Sequence, residues 1–130
     1  MQNMSGGKSA LGLDGNITAL IGYIVGIVAL IEVFLEKDNK WVKFHALQSV
    51  LYHVASFALI IGVWVIGAII GVVLSQISAV LGLVGLLFYI VGLLLWLGWL
   101  VGMIYGAVKA YQGATFKYPI VGNMAEKWSN

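Results

Sequence analysis

The chain has 130 residues, which is the size of one ordinary domain. Hydrophobic residues make up 62% of it and charged residues only 9%, whereas a soluble domain carries about 25% charged residues. Residues 44–108 contain no charged residue at all. A water-soluble fold of this size cannot bury such a stretch, so the composition indicates an all-α integral membrane protein.

The same composition excludes several classes of function. A net charge of +2, made of scattered lysines, gives no basis for binding nucleic acid. The absence of cysteine removes disulfides, thiolate metal sites and cysteine nucleophiles. No carboxylate pair, Ser–His–acid set or glycine-rich phosphate loop can be nominated, so the sequence predicts neither an enzyme nor a cofactor.

Apolar runs in the chain are apolar on every side, which indicates membrane helices of about 20 residues rather than barrel strands. The runs predict a single transmembrane domain over 17–113, with three spans at about 17–35, 50–74 and 83–110. Residues 1–16 form a leader that lacks the basic start and the cleavage site of a signal peptide. The polar cluster Ser75–Ser78 is the expected turn between the second and third spans.

A four-span alternative would break the chain near Gly67 and again near Gly85. Lysine counting separates the two models, because cytoplasmic loops carry an excess of Lys and Arg. With three spans, six lysines lie on one side and only Lys8 on the other, whereas four spans divide them three against four. The sequence therefore favours three spans in the cell inner (plasma) membrane, with the N-terminus outside and the C-terminus in the cytoplasm.

The segment 114–130 is expected to be a cytoplasmic tail that ends in a short interfacial helix. Gly113 would stop the third span, and Pro119 interrupts the chain shortly after it. Apolar residues then recur at helical spacing, which is typical of a helix lying on a surface. These residues are Val121, Met124, Ala125 and Trp128.

Small residues four apart form the candidate helix-packing surface. Such spacing lets helix backbones approach closely, which drives helix association in lipid. The packing could be between helices of this chain or against a second protein. The residues are Gly22 and Gly26, Gly67 and Gly71, and the glycine row of Gly98, Gly102, Gly106 and Ala110.

Polar residues at the cytoplasmic ends of the spans form a second candidate site, an interface polar cluster. Glu32 lies near the end of the first span and could pair with Lys43 or His45, or handle ions or protons. His45, Ser49 and His53 share one helix face, and the two histidines are candidate ligands for a haem, a chlorin or a metal ion. Hydrogen bonding at the interface is the expected role. The cluster comprises Glu32, Lys43, His45, Gln48 and Ser49.

Three sequence segments resemble one family. They are KSALGLD (8–14), EKDNKWVKFHALQS (36–49) and KAYQG (109–113) with KYPI (117–120). They are similar to small prokaryotic membrane proteins grouped with the import-channel component of the chloroplast inner envelope. The resemblance implies a polytopic helical protein, and it does not imply protein import.

The sequence is compatible with two functions. The first is an accessory or assembly subunit that packs through its helices against a larger membrane complex or a second copy. The alternative is an oligomeric transport or channel module, in which polar residues within the spans would line a path. Membrane lipid and other membrane subunits, rather than nucleic acid, are the expected partners.

Overall fold

The computed structural model describes residues 3–130 and forms two compact units. Unit 1 comprises residues 3–53 and 101–130, and unit 2 comprises residues 54–100. Six helices account for most of the described residues, and no strand longer than an isolated bridge occurs among them. The helices are α1 (Gly15–Ile24), α2 (Gly26–Leu35), α3 (Lys40–Ser75), α4 (Ala79–Gly82), α5 (Val84–Tyr111) and α6 (Val121–Ser129).

The segment expected to form one span over 17–35 is instead two ten-residue helices that make a hairpin, α1–α2. The helix breaks at Val25, which has φ −112° and ψ 89°. Beyond the break the chain turns back, so that a Cβ placed on Gly22 would lie 3.3 Å from the Cβ of Ala29. Each helix is about 15 Å long at 1.5 Å per residue, roughly half the hydrocarbon thickness of a bilayer.

Both ends of this hairpin lie against the N-terminal segment, residues 3–14. The Ala10 amide donates to the Glu36 carboxylate at 2.7 Å, and the Asn39 side chain donates to the Met4 and Lys8 carbonyls at 3.1 and 3.3 Å. Residue 14 precedes the hairpin and residue 36 follows it. The hairpin therefore enters and leaves on the same face of unit 1.

Two helical segments are long and apolar enough to cross a membrane, by length and composition: Lys40–Ser75 and Ala79–Tyr111. In their most apolar windows only 11% and 6% of the residues are buried inside the chain, so neither is the core helix of a soluble protein. The break between them falls at the predicted turn. Gly67 lies inside the continuous helix α3, so the first break of the four-span alternative is absent.

The C-terminal residues fold back onto unit 1 as the helix α6. A tight turn precedes it, in which Ile120 has φ 68° and the Val121 amide donates to the Pro119 carbonyl at 2.8 Å. This geometry is that of a γ-turn, which is rare and strained for a residue other than glycine. Ala125 is buried, whereas Met124 and Trp128 are exposed, so the predicted apolar stripe is divided between two sides of the helix.

Candidate functional site: a buried polar stripe on α3

Four polar side chains of α3 form a stripe that faces the interior of unit 1. The polar stripe consists of His45, Gln48, Ser49 and His53, of which the first three are fully buried. Ser49 follows His45 by four residues and His53 follows Ser49 by four, and Gln48 follows His45 by three, so the side chains lie on one side of the helix. The sequence predicted the face of His45, Ser49 and His53, and the structure adds their partners.

Ser49 and His53 complete the hydrogen bonding of the hairpin at its tip. The carbonyls in the last turn of a helix have no partner within that helix, and leaving them unpaired away from water is costly. Ser49 donates to the Gly22 carbonyl at 2.8 Å, and His53 Nε2 donates to the Tyr23 carbonyl at 2.9 Å. The absence of a side chain at Gly26 admits the His53 ring, since a Cβ there would lie 3.3 Å from its Cδ2.

His45 and Tyr23 form the centre of the stripe's hydrogen-bond network. His45 Nε2 lies 3.1 Å from the Ala114 carbonyl, which only accepts, so this nitrogen carries the proton. His45 Nδ1 therefore accepts from the Tyr23 hydroxyl at 2.8 Å, and that hydroxyl accepts from Gln48 Nε2 at 2.8 Å. Both ring nitrogens of His45 are engaged, so a haem or metal ligated there would have to break one of these bonds.

The stripe also holds residues 114–118, the tail segment. Gln48 donates to the Phe116 carbonyl at 3.2 Å and accepts from the Tyr118 amide at 2.9 Å. One turn earlier on α3, Trp41 Nε1 donates to the Thr115 hydroxyl at 2.9 Å. The same helix face therefore fixes the hairpin on one side and the tail segment on the other.

Tyr118 anchors the end of the tail segment. Its hydroxyl donates to the Gly102 carbonyl, and its ring stacks on Tyr52 with centroids 4.3 Å apart. Burial raises the pKa of Tyr118 above its ordinary value, so the hydroxyl remains a donor. Outside this contact Lys117 pairs with Glu126 of α6, and the hydrogen bond lowers the pKa of that exposed carboxyl.

The predicted interface polar cluster is only partly brought together. His45, Gln48 and Ser49 belong to the stripe, but Glu32 pairs with neither Lys43 nor His45. The reason is the hairpin, which directs the end of α2 towards the N-terminal segment. Within residues 3–130, no group of three or more His, Cys, Asp or Glu side chains is arranged to hold a metal ion.

Most of the predicted helix-packing glycines meet other parts of their own unit. Gly22 packs against Ala29, and Gly26 packs against His53. In unit 2, Gly67 faces Phe88 and Gly71 faces the backbone of Gly85. In unit 1, Gly102 lies against Tyr52, Gly106 against Tyr118, and Ala110 is fully buried. Gly98 differs from them, since a Cβ there would meet no described atom within 4 Å.

The sequence analysis missed Tyr23, which is the central residue of the hydrogen-bond network. The only sequence feature that could have indicated it is a tyrosine hydroxyl in the middle of an apolar run, and a tyrosine in a predicted span is normally assigned to packing. Tyr118 and Glu36 occur in the sequence analysis only within the segments that carry the family resemblance, without a role of their own. All three acquire their roles through contacts between residues at least 16 positions apart.

These features define a small, all-helical membrane protein with a folded polar end. Residues 10–125 match the model of the MamF/MmsF family, the magnetosome magnetite crystal formation protein family. The chain belongs to that family.

Several archaeal relatives are similar over nearly their full length. The UPF0132 membrane protein MJ1443 of Methanocaldococcus jannaschii is 36% identical over 95% of this chain and 96% of its own. A UPF0132 membrane protein of Archaeoglobus fulgidus is 35% identical over 86% and 92%. A second protein of M. jannaschii, MJ1527, is 29% identical over 92% and 73%. No solved structure matches the chain.

The relatives confirm the prokaryotic membrane-protein part of the sequence resemblance. None of the three is named as a component of chloroplast import, so that part of the resemblance gains no support from them.

Proposed function

We propose that this protein is an accessory or assembly subunit of a membrane complex rather than an enzyme. The observation that supports this proposal is that the side chains able to take part in catalysis are used in hydrogen bonds within the fold. His45, Gln48, Ser49 and His53 bind backbone and Tyr23 groups of their own unit. What the chain offers to other molecules is an apolar helical surface and a lysine-bearing end. The description of its family, magnetosome magnetite crystal formation, is compatible with a role in a membrane-bound assembly.

The proposed topology has two spans, α3 and α5, with the hairpin entering the membrane only part of the way. The hairpin returns to the face from which it starts, so in this topology residues 3–14 lie on the same side of the membrane as the C-terminal tail. All seven lysines belong to unit 1, and unit 2 has no charged residue. A single-sided lysine distribution supports a cytoplasmic location for that side, with the plasma membrane as the proposed membrane.

We propose that the protein associates with a partner helix through Gly98, the uncovered end of the glycine row. Gly102, Gly106 and Ala110 are covered within unit 1, whereas Gly98 is exposed and has no neighbour against its Cα. Close approach of a partner helix at a small residue gains packing that lipid tails do not supply. The partner is a helix of a larger complex or of a second copy.

We expect Gly98→Ile to weaken this association on the order of tenfold, equivalent to ~1.4 kcal/mol. The branched side chain would hold a partner helix away without disturbing a described neighbour. The measurement is native mass spectrometry or crosslinking of the full chain, purified from native membranes in mild detergent.

Gly62→Ile is the matched control, because Gly62 is also a helical glycine of unit 2 with no atom within 4 Å of a Cβ. It should leave the complex intact. A wild-type chain that is strictly monomeric and partner-free contradicts the proposed function. Equal losses in the two variants contradict the assignment to Gly98.

A further inference from the structure

Glu32 is a buried carboxyl group that lacks hydrogen-bond partners. The residue is 1% exposed, and neither carboxylate oxygen has a partner among the described residues. It is the only described residue with buried side-chain nitrogen or oxygen atoms in that condition. A buried ionised carboxylate without donors is strongly disfavoured, so this group has to bind a positively charged species or remain neutral.

Glu36, one helical turn further on, has the opposite environment. Its carboxylate accepts from the amides of Ala10 at 2.7 Å, Asn39 at 2.9 Å and Asp38 at 3.3 Å. Several backbone donors stabilise the ionised form of a carboxyl group. Glu36 is therefore the member of the pair whose carboxylate oxygens have hydrogen-bond donors.

The surroundings of Glu32 come from two elements. On its own helix, Glu36 is the charged group that acts on it, and both carboxyls repel when ionised. From the N-terminal segment, the Leu11 amide lies near Glu32 without completing a hydrogen bond. The nearby lysine of that segment, Lys8, is paired with Asp14 at 2.6 Å. No described cation neutralises Glu32 by an ion pair.

We propose that Glu32 and Glu36 form a proton-binding site that holds one proton between two carboxyl groups, and that this proton keeps the N-terminal segment docked. Glu32 is the protonated member and donates its O–H towards the Glu36 carboxylate. A proton needs no coordination shell, which fits two oxygens that are fully enclosed. The class of site is an acid pair sharing one proton.

Loss of the proton has a structural consequence. The Glu32 carboxyl gives its proton to water and becomes a second carboxylate beside Glu36, with no donor to stabilise it. Residues Ala10 and Leu11 border the pair, so movement of the N-terminal segment admits water to both charges. Proton release and undocking of residues 3–14 are then linked.

The test uses the full chain in lipid nanodiscs and follows two signals across pH. Infrared spectroscopy detects the C=O stretch of protonated carboxyl groups, and hydrogen exchange reports protection of residues 3–14. The variants are Glu32→Gln, which mimics the neutral form, and Glu126→Gln, which removes an exposed carboxyl of α6. Glu32→Asp keeps a carboxyl at the site, and it replaces the glutamine variant in the test if that variant does not fold.

In the wild type we expect a protonated-carboxyl band that disappears on alkaline titration. Glu126→Gln retains it, Glu32→Gln lacks it, and Glu32→Asp retains it with a shifted midpoint. As the pH rises to the midpoint, exchange of the segment in the wild type should accelerate relative to Glu32→Gln by up to about tenfold per pH unit, since opening releases one proton.

Three results would overturn the proposal. The first is a band that persists in Glu32→Gln or never appears in the wild type, which would place the proton elsewhere. The second is a midpoint that shifts when sodium replaces choline as the only cation, which would identify a metal-cation site. The third is an exchange ratio between wild type and Glu32→Gln that does not change with pH, which would remove the link to docking.

Discussion

Replacing Gln48 by methionine is expected to destabilise unit 1 by ~3 kcal/mol or more. Methionine has a similar volume but makes none of the three hydrogen bonds of the glutamine. The part-buried Tyr118 amide and Phe116 carbonyl would lose their Gln48 partner, and an unsatisfied buried group costs about 1–3 kcal/mol. The Tyr23 hydroxyl would also lose its donor. The measurement is the free energy of unfolding in mixed detergent micelles, together with the rate of tryptic cleavage after Lys117.

Gln112→Met is the control for this experiment. Gln112 is an exposed glutamine of the same unit, and exposed substitutions of this kind stay within about 0.5 kcal/mol. The two variants add the same side chain, so their difference isolates the buried hydrogen bonds. If Gln48→Met were as stable as Gln112→Met and its tail equally protected, the stripe would not hold the tail segment.

Single cysteines should reveal a chain whose two ends lie on the same side of the membrane. On intact cells, an impermeant thiol reagent is expected to label Gln76→Cys and to leave Gly6→Cys and Asn130→Cys unlabelled. The chain has no native cysteine, and all three positions are exposed. The physical reason is twofold: the hairpin returns to its starting face, and each lysine near an anionic leaflet contributes on the order of 1 kcal/mol.

Opening the cells supplies the internal control, since all three cysteines should then react. Labelling of Gly6→Cys together with Gln76→Cys on intact cells would mean that residues 17–35 cross the bilayer after all. Labelling of Gly6→Cys and Asn130→Cys without Gln76→Cys would reverse the orientation and leave the hairpin in place.

The long helices could be read from the sequence because hydropathy and length alone define them. The break at Ser75–Ser78 is also local, since these are the only clustered polar residues in the apolar region. The helix α3 begins earlier than predicted, at Lys40 rather than near residue 50. The extra residues include His45, Gln48 and Ser49 of the polar stripe, and a prediction based on hydropathy ends a span where polar side chains begin.

The hairpin could not be predicted in the same way. Residues 17–35 have the length and apolarity of a span, and Val25 carries no turn signal. Two ten-residue helices are favoured over one span because Gly22 and Gly26 permit close contacts and because Ser49 and His53 supply the missing hydrogen bonds. Those contacts join segments about 27 to 30 residues apart, which periodicity does not detect. For the same reason, the sequence suggested a pairing of Glu32 with Lys43 or His45 that is absent among the described contacts.

The capping of the hairpin has a consequence for the order in which the chain is made. The tip carbonyls of Gly22 and Tyr23 are synthesised before the Ser49 and His53 side chains that complete them. Until those residues leave the ribosome, a hairpin in hydrocarbon would contain unpaired backbone groups, each costing several kcal/mol. In the proposed topology, the first apolar segment therefore stays in a hydrated environment until Ser49 and His53 have been made, and enters the bilayer together with the helix that follows it.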